Sequence, residues 1–556
     1  MLSDVEIAQQ ASLEPMEAIA AKLDIPGALL HPYGRDKAKI DLSFLDQPRS
    51  RSTPSKLVLV SAITPTRAGE GKTTTTIGLG QALAKRGQSV CLALREPSLG
   101  PCMGVKGGAT GGGYSQVVPM ESINLHFTGD LHAVTTSHNL LSAVLDNRLH
   151  FRLEPRLDPR RIAWKRVLDM NDRSLRQTLL GLGGPTQGMP RQSGFDITAA
   201  SEVMAMLCLA DDPEDFRERI DRTLIGYTEA REPVLANQLK VTGAIMALMQ
   251  EAFRPNLVQT LEGTPAIVHG GPFANIAHGC NSVIATRMAL HAADWAITEA
   301  GFGFDLGGEK FLDIKCPSAG LDPAGIVLVA TVRALKLHGG VKYEALSTPD
   351  VDALQRGLVN LAKHVESALL FGKPIVVAIN RFATDSDEEL HAIAAECKRL
   401  GVRFAAADHH ARGGEGALDL ADVVLETFTG DAPPLTPLYE ASASPADKLT
   451  AIATKVYGAD GVQLTKSAQA ALKKIERHGY GDLPICVAKT QSSLSDDPKA
   501  LGRPTGFDLV VRDFVVQAGA GFLVALTGDI VRMPGLPRVP SAERIDVVHG
   551  KITGLS

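Results

Sequence analysis

No two cysteines of this 556-residue chain stand in a C-x-x-C spacing; the seven lie singly at positions 91, 102, 208, 280, 316, 397 and 486. That scatter excludes a disulfide framework and points to buried thiols in a reducing compartment. Long hydrophobic runs are missing too. No stretch approaches 18 uninterrupted apolar residues, so no spanning helix and no membrane association are expected. The first residues, MLSDVEIAQQ, carry acids where a secretory leader needs bases, which makes the cytoplasm the expected location. An excess of positive charge is absent as well. With net charge −5 and pI about 6.3, nothing global favours nucleic acid or an anionic surface. No internal repeat is visible.

What is present is a globular composition, 44% hydrophobic with 53 glycines and 32 prolines, in a chain too long for one core. Short apolar runs (LVLVSAI, SVCLAL, AIVHGG, IVLVATV, PIVVAIN) alternate with helical patterns. The pattern predicts an α/β fold in which parallel sheets are flanked by helices. Three domains are expected. Residues 1–345 form a large nucleotide-binding domain with a helical arm over the first 55, residues 346–445 a second, Rossmann-like α/β domain, and residues 446–556 a C-terminal α/β domain. The proline-rich stretch from Asp431 to Lys448 reads as the linker before the last.

The run Lys56 to Thr64 (KLVLVSAIT) reads as a buried strand, and TTTTIGLGQALAKRG as a helix. Between them stands Thr66-Arg67-Ala68-Gly69-Glu70-Gly71-Lys72-Thr73. A strand, a glycine-rich turn ending Gly-Lys-Thr and a helix together make a P-loop. Backbone N–H groups and the helix N-terminus meet a phosphate, the lysine reaches the outer phosphates, and the threonine hydroxyl meets magnesium. The loop is a variant, because Thr66 occupies the place of the usual first glycine. Residues Thr66 to Thr73 are therefore the predicted nucleotide site, with Thr73 the magnesium contact through the nucleotide.

Other segments carry candidate chemistry. Arg95 ends the strand SVCLALRE, where open α/β sheets bind ligands, in place to neutralise phosphoryl charge; an ion pair with Glu96 is the alternative. Lys106 and five nearby glycines (107, 108, 111, 112, 113) suit a ligand-hugging loop or a linker. His126, Asp130, His132 and His138 could be metal ligands, but their spacing matches no standard helical pair, and core or polar site residues are the favoured reading. Asn380 and Arg381 fit a guanine-reading motif poorly, since Ala383 stands where an aspartate is required. Phe302 and Phe304, on the glycine-rich EAGFGFDLGG, suit stacking on a flat heterocycle or packing into the core. The basic run PRRIAWKRVLD reads as a solvated helix face.

GEGKTTTTIGLGQAL, VKGGATGGGYSQVVPMESINLHFTGDLHAVTTSHNLLSAVLDN, PNLVQTLEGTPAIVHGGPFANIAHGCNSVIATR, EAGFGFDLGGEKFLDIKC, AKTQSSLSDDPKALGRPTGF and AGAGFLVALTGDIVRMPGLP resemble formate–tetrahydrofolate ligases along essentially the whole chain. The resemblance implies ATP-dependent formylation of tetrahydrofolate through formyl phosphate, in a monofunctional homotetramer activated by potassium or ammonium. It implies that Lys72 and Thr73 hold MgATP, that Arg95 binds the intermediate, that Asp130 lies in the active-site stretch, and that Phe302, Phe382 and His410 line the pterin site, with Phe304 beside them. The sequence departs from the family pattern at His410 (tryptophan expected), Phe304 and Gly308 (alanine), Pro317 (arginine) and Ser492 (tyrosine). Phe304 is expected either to replace stacking surface that His410 lacks or to crowd the pocket. Two other readings of the glycine-rich loop stand beside this one, a switch or partitioning ATPase and an inactive member of the ligase fold.

Overall fold

The computed structural model describes residues 2–67, 69–105, 110–528 and 530–555. Its centre is a twelve-stranded, mostly parallel sheet. Seven parallel strands form the working part: β1 (Lys56–Ala62), β2 (Val90–Leu94), β3 (Pro265–Val268), β4 (Trp295–Glu299), β5 (Gly325–Ala330), β6 (Ile375–Asn380) and β7 (Arg403–Ala407). In space they run β3-β2-β4-β1-β5-β6-β7, so the strand of the predicted loop lies between β4 and β5. Beyond β3 the edge turns antiparallel through Asn256–Thr260, Ala38–Ile40 and Leu30–Pro32. Part of the expected helical arm is thus a strand pair, preceded by two short helices, Asp4–Gln9 and Met16–Ala21.

Both faces of the sheet are buried, which is why its strands read as continuous apolar runs. Along β1, Leu57 and Leu59 face one core with the helices Val283–Ala292 and Val351–Leu369. Val58 and Val60 face another with the helices Lys72–Lys85 and Leu418–Phe428. A further core collects the helices Asp130–Phe151, Glu202–Leu209 and Thr242–Met249. The C-terminal residues build a four-stranded sheet in the order Gly461–Leu464, Asp508–Gln517, Phe522–Thr527, Ile485–Ala488. It is wedged between two of these cores. Ile485 and Val487 join the first, and the alternate residues Cys486 and Ala488 join the third.

Two expectations are corrected. Residues 346–445 have no sheet of their own. β6 pairs in parallel with β5 (Ile326↔Ile375 onward), and β7 with β6. An apolar strand buried on both faces still needs hydrogen-bonded neighbours, and those of the central sheet satisfy it. The basic run at 159–169 is not a helix face: Leu157–Ile162 and Arg166–Leu168 are strands. Its cations are neutralised by Asp158, Asp196 and Asp146.

Candidate active site

Parallel strands end on one edge, and that edge gathers most of the predicted residues. After β1 the chain turns through Gly69 and Gly71, at φ +80° and +71°, into the helix that begins at Lys72. Only glycine fits at 71, since a Cβ there would stand 2.4 Å from Asn380 Nδ2. The turn is tied from within and from the next strands. Glu70 is buried, accepts from the Thr66 N–H at 2.7 Å, and meets the Thr331 hydroxyl at the end of β5. Asn380, the last residue of β6, donates to the Glu70 carbonyl at 3.1 Å. The asparagine that resembled a base-reading residue thus shapes the loop. Arg67 is exposed. Ala68 lies outside the described residues, as do Lys106, Gly107 and Gly108 of the later glycine-rich segment.

The Thr73 hydroxyl donates to Glu299 Oε2 at 2.7 Å, and Arg95 Nη2 lies 3.5 Å from Glu299 Oε1. Glu299 is fully buried at the carboxyl end of β4, between the strands that lead to Thr73 and Arg95. Sequence reasoning missed it. The available signal was an apolar strand ending in an acid, Trp295-Ala-Ile-Thr-Glu299. Arg95 therefore pairs with Glu299 and not with Glu96, and its buried Nε has no hydrogen-bond partner among the described residues. Glu96 is buried near Asp130, Lys39 and Asp169, and burial holds its carboxyl well above the ordinary range.

Asp130 opens the helix Asp130–Phe151 with both oxygens engaged: Lys39 Nζ at 2.8 Å, itself buried, and Asn256 Nδ2 at 2.7 Å. Its contacts form a buried ion pair between the strand Ala38–Ile40 and the start of that helix. The neighbouring histidines do not converge on it. His138 stacks on Trp164 at 4.1 Å and bonds the Lys165 carbonyl, while His132 lies near Thr136. No cluster of three or more metal-ligating side chains occurs among the described residues.

The predicted aromatic residues separate. Phe302 is partly buried on the turn after β4 and holds φ +58°. Phe382 follows β6, with the Arg333 guanidinium 4.1 Å above its ring. His410 is exposed after β7, where its carbonyl accepts from Tyr114 N–H at 2.8 Å and the Gly111–Gly112 hairpin packs against it. Its neighbour His409 is buried, 3.1 Å from Thr75 Oγ1 on the helix that Lys72 begins. Burial pushes that imidazole down to about 3, so it is neutral.

Phe304 has to be corrected. It is fully buried, edge-on to Phe371 at 5.8 Å, and belongs to the main core. A Cβ on Gly308 would stand 2.5 Å from its ring. The two residues at which the sequence departs from the expected pattern thus pack against each other, a large ring beside a residue with no side chain. Pro317 lies in the turn Cys316–Ala319, which continues directly from the helical turn Phe311–Lys315, and nothing in the structure explains it. Nothing in the structure explains Ser492.

The formate–tetrahydrofolate ligase family model matches residues 2–556. The formate–tetrahydrofolate ligase of Symbiobacterium thermophilum is 56% identical over 558 residues, covering 100% of both chains. Among solved structures, a point mutant of L. casei FPGS aligns at 10% identity and TM-score 0.20, over 78% of this chain and 68% of that one. A Mycobacterium tuberculosis folylpolyglutamate synthase complexed with ADP aligns at 12% identity and TM-score 0.14, over 53% and 57%. Scores so low carry no argument about fold or function. The family match and the full-length relative do: the chain belongs to the formate–tetrahydrofolate ligase family.

Proposed function

We propose that this protein ligates formate to tetrahydrofolate with ATP through formyl phosphate, on the carboxyl edge of β1, β2 and β4. The observation that carries the site is the convergence of Thr73, Glu299 and Arg95 at the start of the Lys72 helix. A hydroxyl and a carboxylate 2.7 Å apart are hard oxygen donors suited to magnesium, which enters with the nucleotide and keeps phosphate and water ligands. The glycine turn and helix N-terminus receive the phosphates, and Lys72, at the first helical position, is the proposed cation for their outer charge.

A formate oxygen attacks the γ-phosphorus, the bond to the β-bridging oxygen breaks, and ADP leaves with that electron pair. Positioning and charge neutralisation are the main demands of such a step. Arg95, whose Nε has no hydrogen-bond partner among the described residues, suits the planar acyl phosphate that results. N10 of tetrahydrofolate then attacks the formyl carbon. A tetrahedral oxyanion forms, the carbon–oxygen bond to phosphate breaks, and N10 loses its proton. Phe302 and Phe382 are the proposed pterin contacts, with His410 at the outer wall. A homotetramer, activation by potassium or ammonium, and a cytoplasmic location extend the reading by family resemblance.

The test is the rate of ADP formation with ATP, formate and tetrahydrofolate supplied in every combination. ADP formation that needs all three, with one 10-formyltetrahydrofolate per ADP, is expected. Hydrolysis of ATP indifferent to formate and folate would point instead to a switch ATPase.

A further inference from the structure

The turn after β4 carries a strained residue. Phe302 sits at φ +58°, a region in which a side chain of this size is an outlier and which persists only where the surroundings over-determine it. Close approaches supply that constraint. A Cβ on Gly301 would lie 2.8 Å from Arg95 Nη1, one on Gly303 2.4 Å from Asp305 Oδ1, and one on Gly307 2.1 Å from the Gly301 carbonyl oxygen. The turn is folded back on itself, with the Asp305 carboxylate wedged against the residue that follows Phe302.

Asp305 is held in turn from a distant part of the chain. Lys489 Nζ lies 2.7 Å from Asp305 Oδ2, and both side chains are buried. Lys489 directly follows the Ile485–Ala488 strand of the C-terminal sheet. It also donates to the carbonyls of Thr490, at 3.1 Å, and Ser493, and stands 5.0 Å from the Tyr457 ring centre. Such a pair is a poor source of stability, because desolvation offsets much of the attraction. What it provides is a fixed position for one carboxylate.

We infer that Lys489, acting through Asp305, is a positioning residue that sets the Phe302 turn and hence the affinity for the pterin. The inference rests on the reading of Phe302 as a folate contact. It gives the C-terminal sheet a part in folate binding without contact with the ligand.

The decisive variant is the double substitution Asp305→Asn with Lys489→Met, which removes both charges and leaves neither alone in the core. Its KM for tetrahydrofolate rises roughly tenfold or more, since sub-ångström misplacement of a binding group is costly. Its KM for ATP, and its synthesis of ATP from carbamoyl phosphate and ADP, stay near wild type. A wild-type folate KM overturns the inference; so does an equal loss in both half-reactions, which marks a general structural role. Should the double variant fail to fold, Asp305→Glu keeps the charges, pushes the carboxylate toward Gly303 and gives the same readout. Phe302→Ala is measured alongside. If it leaves the folate KM unchanged, the reading of Phe302 fails and the inference with it. If it raises that KM while the double variant does not, only the positioning role is lost.

Discussion

The proposed phosphate side and the proposed folate side of one sheet edge are built differently. On the phosphate side, every element is polar, short and cross-tied: Glu70 to Thr66, Asn380 to Glu70, Thr73 to Glu299, Glu299 to Arg95. On the folate side, aromatic residues stand on separate loops after β4, β6 and β7, one strained and one exposed. The first arrangement fixes charge before the substrate arrives, as electrostatic stabilisation demands. The second offers surfaces whose geometry depends on what lies behind them.

This contrast orders the expected effects of mutation. Lys72→Ala lowers the rate of ligation by on the order of 10³-fold or more, the scale of losing a cation on a transferring phosphoryl group. Its Tm and folate binding stay near wild type, and a variant with normal turnover places the phosphates elsewhere. Arg95→Lys keeps the charge and still slows ligation roughly 10²-fold, because planar bidentate recognition is lost. Phe302→Ala leaves the maximal rate at saturating folate largely intact but raises the folate KM roughly tenfold, about the 1–3 kcal/mol of an aromatic stack.

How much of this was legible in the sequence follows from the same contrast. The glycine turn was readable because its φ values and close approaches demand glycine at fixed places. Arg95 was readable because it ends an apolar strand. Glu299 was not, since its meaning depends on β4 lying between β1 and β2, a non-sequential neighbour relation. That the strands of 346–445 join the central sheet is hidden for the same reason, since they have the composition of any buried parallel sheet. For Phe304 the sequence does not choose between pocket and core, because a glycine-rich loop carries no periodicity to say which side an aromatic faces.

That buried aromatic supplies a further test. Phe304→Ala costs about 3–5 kcal/mol of stability, as for other buried phenylalanines, while the folate KM of the folded protein stays near wild type. Gly308→Ala alone destabilises by about 1–3 kcal/mol through overpacking. Combined with Phe304→Ala it costs less than the sum, since the added methyl fills part of the space. Thermal unfolding of the three variants reads this directly, and strict additivity contradicts that packing. The smallest effect is expected at His410. A tryptophan there enlarges the exposed aromatic face and lowers the folate KM a few-fold, within the 0.5–1.5 kcal/mol of an aromatic pair. An unchanged KM places that side chain outside the pterin's reach.

The division of the edge into two separable halves is tested most directly by ATP synthesis from carbamoyl phosphate and ADP, which uses the acyl-phosphate and nucleotide contacts but no folate. Measured on Phe302→Ala and Arg95→Lys together, it should stay near wild type in the first and fall roughly 10²-fold in the second. Equal losses in both variants, or a loss in Phe302→Ala alone, would contradict the account.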